Sequence, residues 1–252
     1  MNKGVVVVTG GSRGIGAATA LLAAEQGYAV VVNYAGNEAA ANAVCADIVV
    51  RGGRALVVQG DVARPADIEH IFAAADTLGP LVGLVNNAGV VDVAARVEDM
   101  TLERLERMFS VNVYGSILCA REAVRRMSTA HGGQGGSIVN LTSAAAKLGG
   151  ANTYVDYAAA KGAIDSFTVG LALEVATEGI RVNSVRPGII ETDIHASGGD
   201  PDRASRLAST VPMQRAGKAR DVAEAIMWLI SDSSAYTTGT SISVTGGRAI
   251  QA

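Results

Sequence analysis

Short runs of β-branched and other apolar residues alternate along the chain with longer alanine-rich stretches. Several runs are almost continuously apolar, which is typical of strands buried on both faces of a parallel sheet. Seven strands are predicted, at residues 4–8, 29–33, 54–59, 81–85, 137–141, 180–185 and 241–244. The stretches between them predict six helices, at about residues 17–26, 38–51, 65–78, 102–127, 156–178 and 219–230. This alternation indicates an α/β protein with helices on both faces of the sheet.

The chain of 252 residues shows no internal repeat and no linker long enough to divide it, so residues 1–252 are predicted to form one domain. One segment, at about residues 190–215, differs from its surroundings. It is polar, contains Gly198, Gly199 and Pro201, and fits no strand. Long irregular segments in compact domains are usually functional lids or disordered stretches. We expect this segment to be a mobile flap over a substrate pocket.

The composition argues against several classes of protein. With 21 basic against 24 acidic residues and a net charge of −3, the sequence lacks the positive charge expected for binding nucleic acid or an anionic membrane. No apolar run approaches the length needed to span a bilayer. The two cysteines, Cys45 and Cys119, form no CxxC pair and cannot build a metal site alone. We therefore expect a cytoplasmic protein with free thiols and no metal.

A glycine-rich loop, Thr-Gly-Gly-Ser-Arg-Gly-Ile-Gly at residues 9–16, follows the first predicted strand and opens the first helix. Glycines let the backbone approach a pyrophosphate, and a helix N-terminus offers free N–H groups and a positive dipole end. The spacing is one residue longer than the common dinucleotide fingerprint, and an ordinary tight turn is the alternative. The flanking strand and helix favour cofactor binding. The predicted contacts in the loop are Gly10, Ser12, Arg13, Gly14, Ile15 and Gly16.

The end of the second strand indicates which nicotinamide cofactor is used. An acidic side chain there would bind the ribose hydroxyls and repel a 2′-phosphate. This chain instead has Asn33 and Tyr34, with no carboxylate before Glu38, and Arg13 could reach a 2′-phosphate. NADP(H) is therefore favoured over NAD(H). The alternatives are that Arg13 is a solvated loop cation and that Asn33 binds the ribose of NAD.

Four further motifs follow the glycine loop in order: Asn-Asn-Ala-Gly at 86–89, Ser143, Tyr-Ala-Ala-Ala-Lys at 157–161, and Pro-Gly at 187–188. With these motifs, essentially the whole chain resembles the short-chain dehydrogenase/reductase family, in particular its bacterial 3-oxoacyl reductase and glucose 1-dehydrogenase-like branch. The resemblance implies a single-domain, Rossmann-like, doubly wound parallel sheet of seven strands. It also implies hydride transfer between NAD(P)(H) and a small-molecule carbonyl or secondary alcohol, and usually a homotetramer. Segments 102–127 and 156–178 would form an intersubunit bundle, with 241–244 near a second interface.

Tyr157 and Lys161 are four residues apart, so both side chains lie on one face of a helix. Carbonyl reduction needs an acid, and an adjacent ammonium, together with an oxidised nicotinamide, would lower the pKa of Tyr157 towards neutrality. Ser143 follows a strand and could donate to the carbonyl oxygen. By resemblance, Lys161 also binds the nicotinamide ribose and Asn112 holds a water in a proton relay. Each residue also has a structural alternative. Tyr157 could pack on the sheet while Lys161 extends to solvent, Ser143 could cap a helix, and Asn112 could be buried and bind the backbone.

The resemblance implies further cofactor contacts at the ends of other strands. Asp61 and Val62 would lie against the adenine, although Asp61 could instead cap the following helix. The segment 86–89 would lock the carboxyl edge of the sheet and border the adenine ribose. A turn at 187–188 would lead to nicotinamide contacts. The predicted residues in these segments are Asp61, Val62, Asn87, Ala88, Gly89, Pro187, Gly188, Ile190 and Thr192.

The predicted substrate pocket is more polar than a pocket for a long apolar chain would need to be. Its candidate residues are Val91, Ala145, Lys147, Asn152, Tyr154 and His195, of which Lys147 and His195 could equally be solvated loop residues. The lone His195 gives no metal site.

Two departures from the family pattern bear on the substrate. Arg186 stands where the family commonly has an apolar residue. It is either a salt-bridged cation on the surface or a group that reaches the edge of the cofactor. Glu178 would repel an acidic carrier protein, although Arg125 and Arg126 remain available to bind one. The alternatives to a general carbonyl reductase are therefore a 3-oxoacyl-carrier-protein reductase, an NAD-dependent sugar dehydrogenase, and a non-catalytic NADP(H) sensor.

Overall fold

Seven parallel strands form the central sheet of the computed structural model, which describes residues 3–249 apart from the side chain of His195. Their order across the sheet is β3-β2-β1-β4-β5-β6-β9. The strands are β1 (Val5–Val8), β2 (Ala29–Tyr34), β3 (Arg54–Gln59), β4 (Leu81–Asn86), β5 (Gly136–Leu141), β6 (Ile180–Pro187) and β9 (Ser241–Val244). All seven predicted strands are confirmed, with small shifts at their ends, as is the doubly wound α/β fold.

Helices cover both faces of the sheet. They are α1 (Gly14–Glu25), α2 (Glu38–Val50), α3 (Pro65–Asp76), α4 (Leu102–Phe109), α5 (Ser116–Met127), α6 (Ala145–Leu148), α7 (Val155–Val175), α8 (Ile194–Ser197), α9 (Arg203–Leu207) and α10 (Ala219–Ile230). The predicted single helix at 102–127 is helical throughout but is divided by a π-helical segment, Ser110–Gly115, between α4 and α5. None of the helices described is long and apolar enough to cross a membrane.

The alternating side chains of β1 feed two separate cores. Val6 and Val8 pack on the face that carries α1 and α10, whereas Val5 and Val7 pack on the face that carries α3 and α5. All four valines are fully buried, which explains why this strand is continuously apolar. Burying each of them stabilises the fold by about 1.5–3 kcal/mol relative to exposure.

The direction of chain connection reverses between β1 and β4, where strands to one side run β1-β2-β3 and those to the other run β4-β5-β6. In open parallel sheets, the loops at the carboxyl ends separate at such a point and leave a crevice that binds ligands. The loops after β1, β2, β4, β5 and β6 all reach this crevice.

The predicted flap contains regular secondary structure. The prediction that no strand forms there was wrong, because β7 (Ile190–Glu191) pairs in parallel with β8 (Gly217–Lys218). Helices α8 and α9 follow β7. Gly198, between these helices, is buried against the loop after β4: a methyl group added to it would lie 3.3 Å from Val91. The segment therefore folds over one end of the crevice.

Candidate functional site

A cavity of about 1110 Å³ runs along the carboxyl edge of the sheet. Its walls contain every residue predicted to contact the cofactor except Gly16. They are Gly10, Ser12, Arg13, Gly14, Ile15, Asn33, Tyr34, Asp61, Val62, Asn87, Ala88, Gly89, Tyr157, Lys161, Pro187, Gly188, Ile190 and Thr192. The sequence motifs thus converge on one site.

The glycine loop leaves the N-terminus of α1 open to this cavity. Gly10 and Gly14 adopt positive φ angles of 61° and 53°, a region that favours glycine. Helix α1 begins at Gly14 without a side-chain cap on its first N–H groups and without an acidic residue in its first turn. Uncapped N–H groups at the positive end of a helix dipole suit a phosphate. This end of the cavity therefore fits the pyrophosphate of a dinucleotide.

Gly16 packs against the protein backbone in this structure. It does not line the cavity but lies behind the loop, where a methyl group would be 2.2 Å from the Gly10 carbonyl oxygen and 2.5 Å from Asn87 Nδ2. Asn87 Nδ2 itself donates to the carbonyl oxygens of Thr9 and Gly10, at 2.8 and 3.0 Å. Gly16 permits this close packing, which locks the glycine loop onto the segment after β4.

Asn33 is a structural link rather than a free ribose ligand. Its side chain is buried; Nδ2 donates to the carbonyl oxygens of Gly60, at 2.9 Å, and Val58, while Oδ1 accepts from the Gly10 N–H. Both of its amide hydrogens are therefore used within the protein. The cavity instead continues past the strand end along Ala35, Gly36 and Asn37, which the sequence analysis missed although they directly follow Tyr34.

The alternative that Asp61 caps α3 is wrong. The N-cap of α3 is Arg64, and Asp61 Oδ1 accepts from the N–H of Ala63 within the preceding turn. Asp61 and Val62 both line the cavity, on the wall formed by the loop after β3.

Tyr157 and Ser143 meet at the centre of the cavity. Ser143 follows β5, where its Oγ accepts from the N–H of Ala145, and its hydroxyl is near enough to Tyr157 to act on the pKa of that phenol. Burial raises the pKa of Tyr157 above the usual value for tyrosine, and the Ser143 hydroxyl only partly opposes this increase. In the protein itself, burial therefore outweighs the groups that favour the phenolate. The lowering that Lys161 and an oxidised nicotinamide would produce together stays a prediction.

Lys161 is buried beneath the cavity surface. Its Nζ donates to the Leu141 carbonyl oxygen at 2.8 Å and lies 5.7 Å from the centre of the Tyr157 ring. Burial lowers the pKa of Lys161 to about 8, although the carboxylate of Asp165 opposes the change. Since one of the three ammonium hydrogens is used by Leu141, the other two can reach a ligand.

Asn112 acts on the protein backbone in this structure. It lies in the π-helical segment, fully buried, and its Nδ2 donates to the Val90 carbonyl oxygen at 2.9 Å while Oδ1 accepts from the Val90 N–H. It does not line the cavity. A methyl group on Gly89 would lie 2.8 Å from Asn112 Oδ1 and 3.5 Å from Lys161 Nζ, so Asn112 is close to the site. The proton-relay role remains a prediction.

The substrate end of the cavity differs in part from the prediction. Val91, Ala145 and Tyr154 line it, whereas Lys147 and Asn152 are exposed and do not. In the short helix α6, Ala145 and Leu148 share the inner face, so Lys147 points away from them. Asn152 lies in a turn at a φ of 60°. His195 belongs to α8, but its side chain is outside the described part of the structure. Arg107 and Arg248 also line the cavity and were missed by the sequence analysis. Other wall residues lie in segments that the sequence analysis assigned to the pocket or the flap but were not singled out: Leu148, Ile194, Arg203, Arg206 and Leu207.

Arg186 forms an ion pair and does not line the cavity. Its Nη2 lies 2.9 Å from Asp165 Oδ2, and both side chains are largely buried, so it is not the surface cation that was one of the two alternatives. Among the residues described, no group of His, Cys, Asp and Glu side chains could hold a metal ion.

Comparisons with known proteins agree over nearly the whole chain. A family model described as enoyl-(acyl carrier protein) reductase matches residues 10–249. The uncharacterized oxidoreductase YgfF of Escherichia coli K12 is 53% identical over 245 residues, which cover 97% of this chain and 99% of the relative. A 3-oxoacyl acyl-carrier-protein reductase of Synechocystis sp. is 37% identical over 245 residues, which cover 96% of each. A short chain dehydrogenase from Burkholderia cenocepacia, solved in complex with NADP, superposes with a TM-score of 0.88 at 34% identity and 96% coverage of each chain.

Proposed function

Since the chain belongs to the short-chain dehydrogenase/reductase family, whose members act on alcohol or carbonyl groups with NAD(P), we propose that it is an NADP(H)-dependent carbonyl reductase or alcohol dehydrogenase. The observation that carries the proposal is that Ser143, Tyr157 and the buried Lys161 line one cavity together with the open N-terminus of α1, with the Lys161 ammonium 5.7 Å from the centre of the Tyr157 ring. One end of the cavity suits a phosphate, and the centre holds the groups that move a proton.

Each of these residues has a distinct task in the proposed reaction. The nicotinamide, when bound, supplies or accepts the hydride. In the reducing direction Tyr157 donates its hydroxyl proton to the carbonyl oxygen, and Ser143 donates a hydrogen bond to the same oxygen. The Lys161 ammonium stabilises the phenolate left on Tyr157 and binds the nicotinamide ribose with its remaining hydrogens. In the oxidising direction the proton moves back to Tyr157.

The preference for NADP(H) is supported by the charges at the adenine end. Arg13 is exposed, lines the cavity, and has no ion-pair partner among the residues described. The wall beyond β2 is formed by Ala35, Gly36 and Asn37, which carry no negative charge. A 2′-phosphate would therefore meet a free guanidinium and no repelling carboxylate on this wall.

Docking of an acidic carrier protein is less well supported. Arg125 pairs with Glu122 at 2.9 Å, and Arg126 pairs with both Glu122 and Asp76. Glu178, which would face such a partner, is held by a hydrogen bond from Ser128. The basic residues that could bind a carrier protein thus already pair with carboxylates of this chain, which favours a small free carbonyl compound over a carrier-bound acyl chain.

A homotetramer and a mobile flap at 190–215 are part of the proposal. Val169 and Leu173 on α7 are 47% and 78% exposed, and Leu102 and Tyr114, in α4 and the π-helical segment, are 65% and 57% exposed. Large apolar side chains left in water on neighbouring helices are typical of surfaces that a second subunit covers. Light scattering that gave a monomeric mass would contradict the tetramer.

The proposed function is tested by following NADPH and NADH oxidation with a panel of aldehydes, ketones, diketones, sugars and acyl thioesters, and the reverse reaction with alcohols. We expect turnover with NADPH. Tyr157→Phe should lose turnover by roughly 10²–10⁴-fold, while cofactor fluorescence shows unchanged binding. Equal turnover rates for wild type and Tyr157→Phe would refute the assignment of Tyr157. Tight NADPH binding without turnover of any compound in either direction would favour the sensor.

A further inference from the structure

The cavity is more positive than the protein that contains it. The chain has a net charge of −3, yet the described cavity walls carry six cationic side chains and two carboxylates. The cations are Arg13, Arg107, Lys161, Arg203, Arg206 and Arg248, and the carboxylates are Asp61 and Asp193. Arg13 and Lys161 are accounted for by the cofactor and the reaction, whereas the other four arginines are not.

Three of the remaining arginines already have partners. Arg107 lies 3.5 Å from a carboxylate oxygen of Asp92, Arg206 pairs with Asp200, and Arg248 donates to the Thr210 hydroxyl at 2.8 Å. The guanidinium of Arg203 has neither an ion pair nor a hydrogen bond among the residues described. Within the described part of the chain, all the N–H groups of the Arg203 guanidinium are therefore available to bind a ligand.

The ring of Tyr154 holds the Arg203 guanidinium in place. The guanidinium carbon lies 5.2 Å from the centre of that ring, a distance that gives a cation–π contact. Such a contact fixes the position of the guanidinium without using its N–H groups, so they remain free for a bidentate bond to a carboxylate. Tyr154 is itself buried, which makes it a firm support.

This pair lies at the substrate end of the cavity, next to the groups that move the proton. Tyr154 is the N-cap of α7, three residues before Tyr157, and both line the cavity. Arg203 is on α9, in the segment that folds over the crevice: a methyl group on Gly198, in the same segment, would lie 3.4 Å from the Tyr154 hydroxyl. A ligand whose carbonyl group faces Tyr157 could thus extend towards Arg203.

We propose that Arg203 is a specificity-determining residue that binds a carboxylate on the carbonyl substrate. This inference rests on the proposed function for the identity of the reacting group. A singly charged group suits the site because, among the residues described, Arg203 is the one of these four wall arginines with neither an ion pair nor a hydrogen bond, and it has apolar neighbours such as Val91, Leu148 and Leu207 in the same walls. A neutral substrate, including one whose amide oxygen accepts a hydrogen bond, would give the guanidinium no charge-assisted, bidentate partner.

A matched pair of aldehydes tests the proposal. 4-Formylbenzoate and 4-formylbenzamide have nearly the same size and reacting group but differ in charge. We expect wild type to have a kcat/KM for the benzoate that is roughly 10- to 100-fold higher than for the benzamide. Arg203→Gln should remove most of this preference by raising the KM for the benzoate. Arg203→Lys should keep part of it, because the charge remains and the planar fork is lost. Turnover of the benzamide is the internal control for folding.

Two further measurements separate the explanations that could mimic this result. Arg220→Gln removes an exposed cation of α10 that does not line the cavity, and it should leave the ratio unchanged. NADPH affinity should also be unchanged in Arg203→Gln. The proposal would be overturned if Arg203→Gln lowered kcat/KM equally for both aldehydes or left the ratio of the two values unchanged. A weakened NADPH affinity in Arg203→Gln would also overturn it, because it would assign the guanidinium to the cofactor.

Binding without turnover distinguishes failure of this inference from failure of the proposed function. In the Tyr157→Phe background with NADP⁺ present, calorimetry should show 4-formylbenzoate binding that is weakened about tenfold or more by Arg203→Gln. If wild type reduces no carbonyl but this difference is found, the anion site stands and the proposed reaction falls. If wild type reduces carbonyls but the difference is missing, the anion site falls alone.

Discussion

The ammonium nitrogen of Lys161 lies 5.7 Å from the centre of the Tyr157 ring, on the same side of α7. The Leu141 carbonyl oxygen at the end of β5 holds it there with a hydrogen bond of 2.8 Å. Because Lys161 is only 3% exposed, its charge has lost most of its hydration. The arrangement keeps a positive charge beside the phenol that must become negative during the reaction. Burial of this charge lowers the free energy of unfolding.

The first prediction is that Lys161 makes stability depend on pH. Burial lowers its pKa from 10.5 to about 8, so the unfolded chain binds more protons than the folded chain between these values. The free energy of unfolding contributed by this group therefore rises with pH across that window, and the protein bears the full cost of the buried charge below about pH 8. Lys161→Met removes the charge. Relative to wild type it should gain stability at pH 7, and about 2 kcal/mol of that gain should be lost by about pH 9.5.

Urea unfolding of wild type and Lys161→Met at the two pH values measures this difference directly. Groups other than Lys161 titrate equally in both proteins and cancel. Parallel stability profiles for the two proteins would mean that Lys161 titrates at its ordinary value in the fold.

A second prediction concerns the buried ion pair between Arg104 and Asp156, the residue before Tyr157. Arg104 Nε lies 2.7 Å from Asp156 Oδ2, with side chains 9% and 0% exposed, and its Nη1 also donates to the Val93 carbonyl oxygen. The pair thereby joins α4, the start of α7 and the loop that lines the substrate end. Asp156→Asn leaves a buried guanidinium without its countercharge, so we expect a loss of about 3 kcal/mol or more.

Thermal unfolding at fixed protein concentration tests this expectation. Asp47→Asn is the matched control: it breaks an ion pair with Arg51 in which both side chains are largely exposed, and it should change stability by less than about 1 kcal/mol. Equal changes in melting temperature for the two variants would contradict the view that burial decides the effect.

Most of the fold could be predicted from the sequence, because parallel strands buried on both faces appear as unbroken apolar runs such as Val5–Val8. The convergence of most motifs could be predicted for a related reason, since all of them except Tyr157 and Lys161 on α7 lie at the end of a strand, and all carboxyl ends meet at one edge. The π-helical segment Ser110–Gly115 could not, because it changes the backbone hydrogen bonds and not the apolar pattern.

The charges of the site were harder to predict than its position. Asn33 follows a strand in the right place, but its amide is used by Val58 and Gly60, which only the packing of β2 on β3 reveals. Arg203 and Tyr154 are separated by 48 other residues and have no shared motif. Tertiary contacts of this kind decide which polar groups remain free for a ligand, and single-sequence patterns carry no record of them.

A third prediction separates packing glycines from those that contact a ligand. Gly16→Ala puts a methyl group 2.2 Å from the Gly10 carbonyl oxygen, which is backbone and cannot move without shifting the whole loop. We expect a lower melting temperature and a cofactor affinity reduced by at least about tenfold, because the overpacked loop no longer fits the pyrophosphate. Gly36→Ala is the control for stability, since no atom lies within 4 Å of the added methyl group. A Gly16→Ala protein with normal cofactor affinity would show that the loop tolerates displacement.

The last prediction tests the basis of cofactor choice. If Arg13 meets the 2′-phosphate, Arg13→Ala should raise the KM for NADPH by about tenfold and change the KM for NADH by less than about twofold, because only NADPH loses a charge-assisted contact. The effect on NADPH should shrink as salt is added, since Arg13 is exposed and its charge is screened. Arg220→Ala, which removes an exposed cation that does not line the cavity, should affect neither cofactor. An equal rise for both cofactors would place Arg13 at the shared pyrophosphate, and the preference for NADPH would then have to come from the wall at Ala35, Gly36 and Asn37.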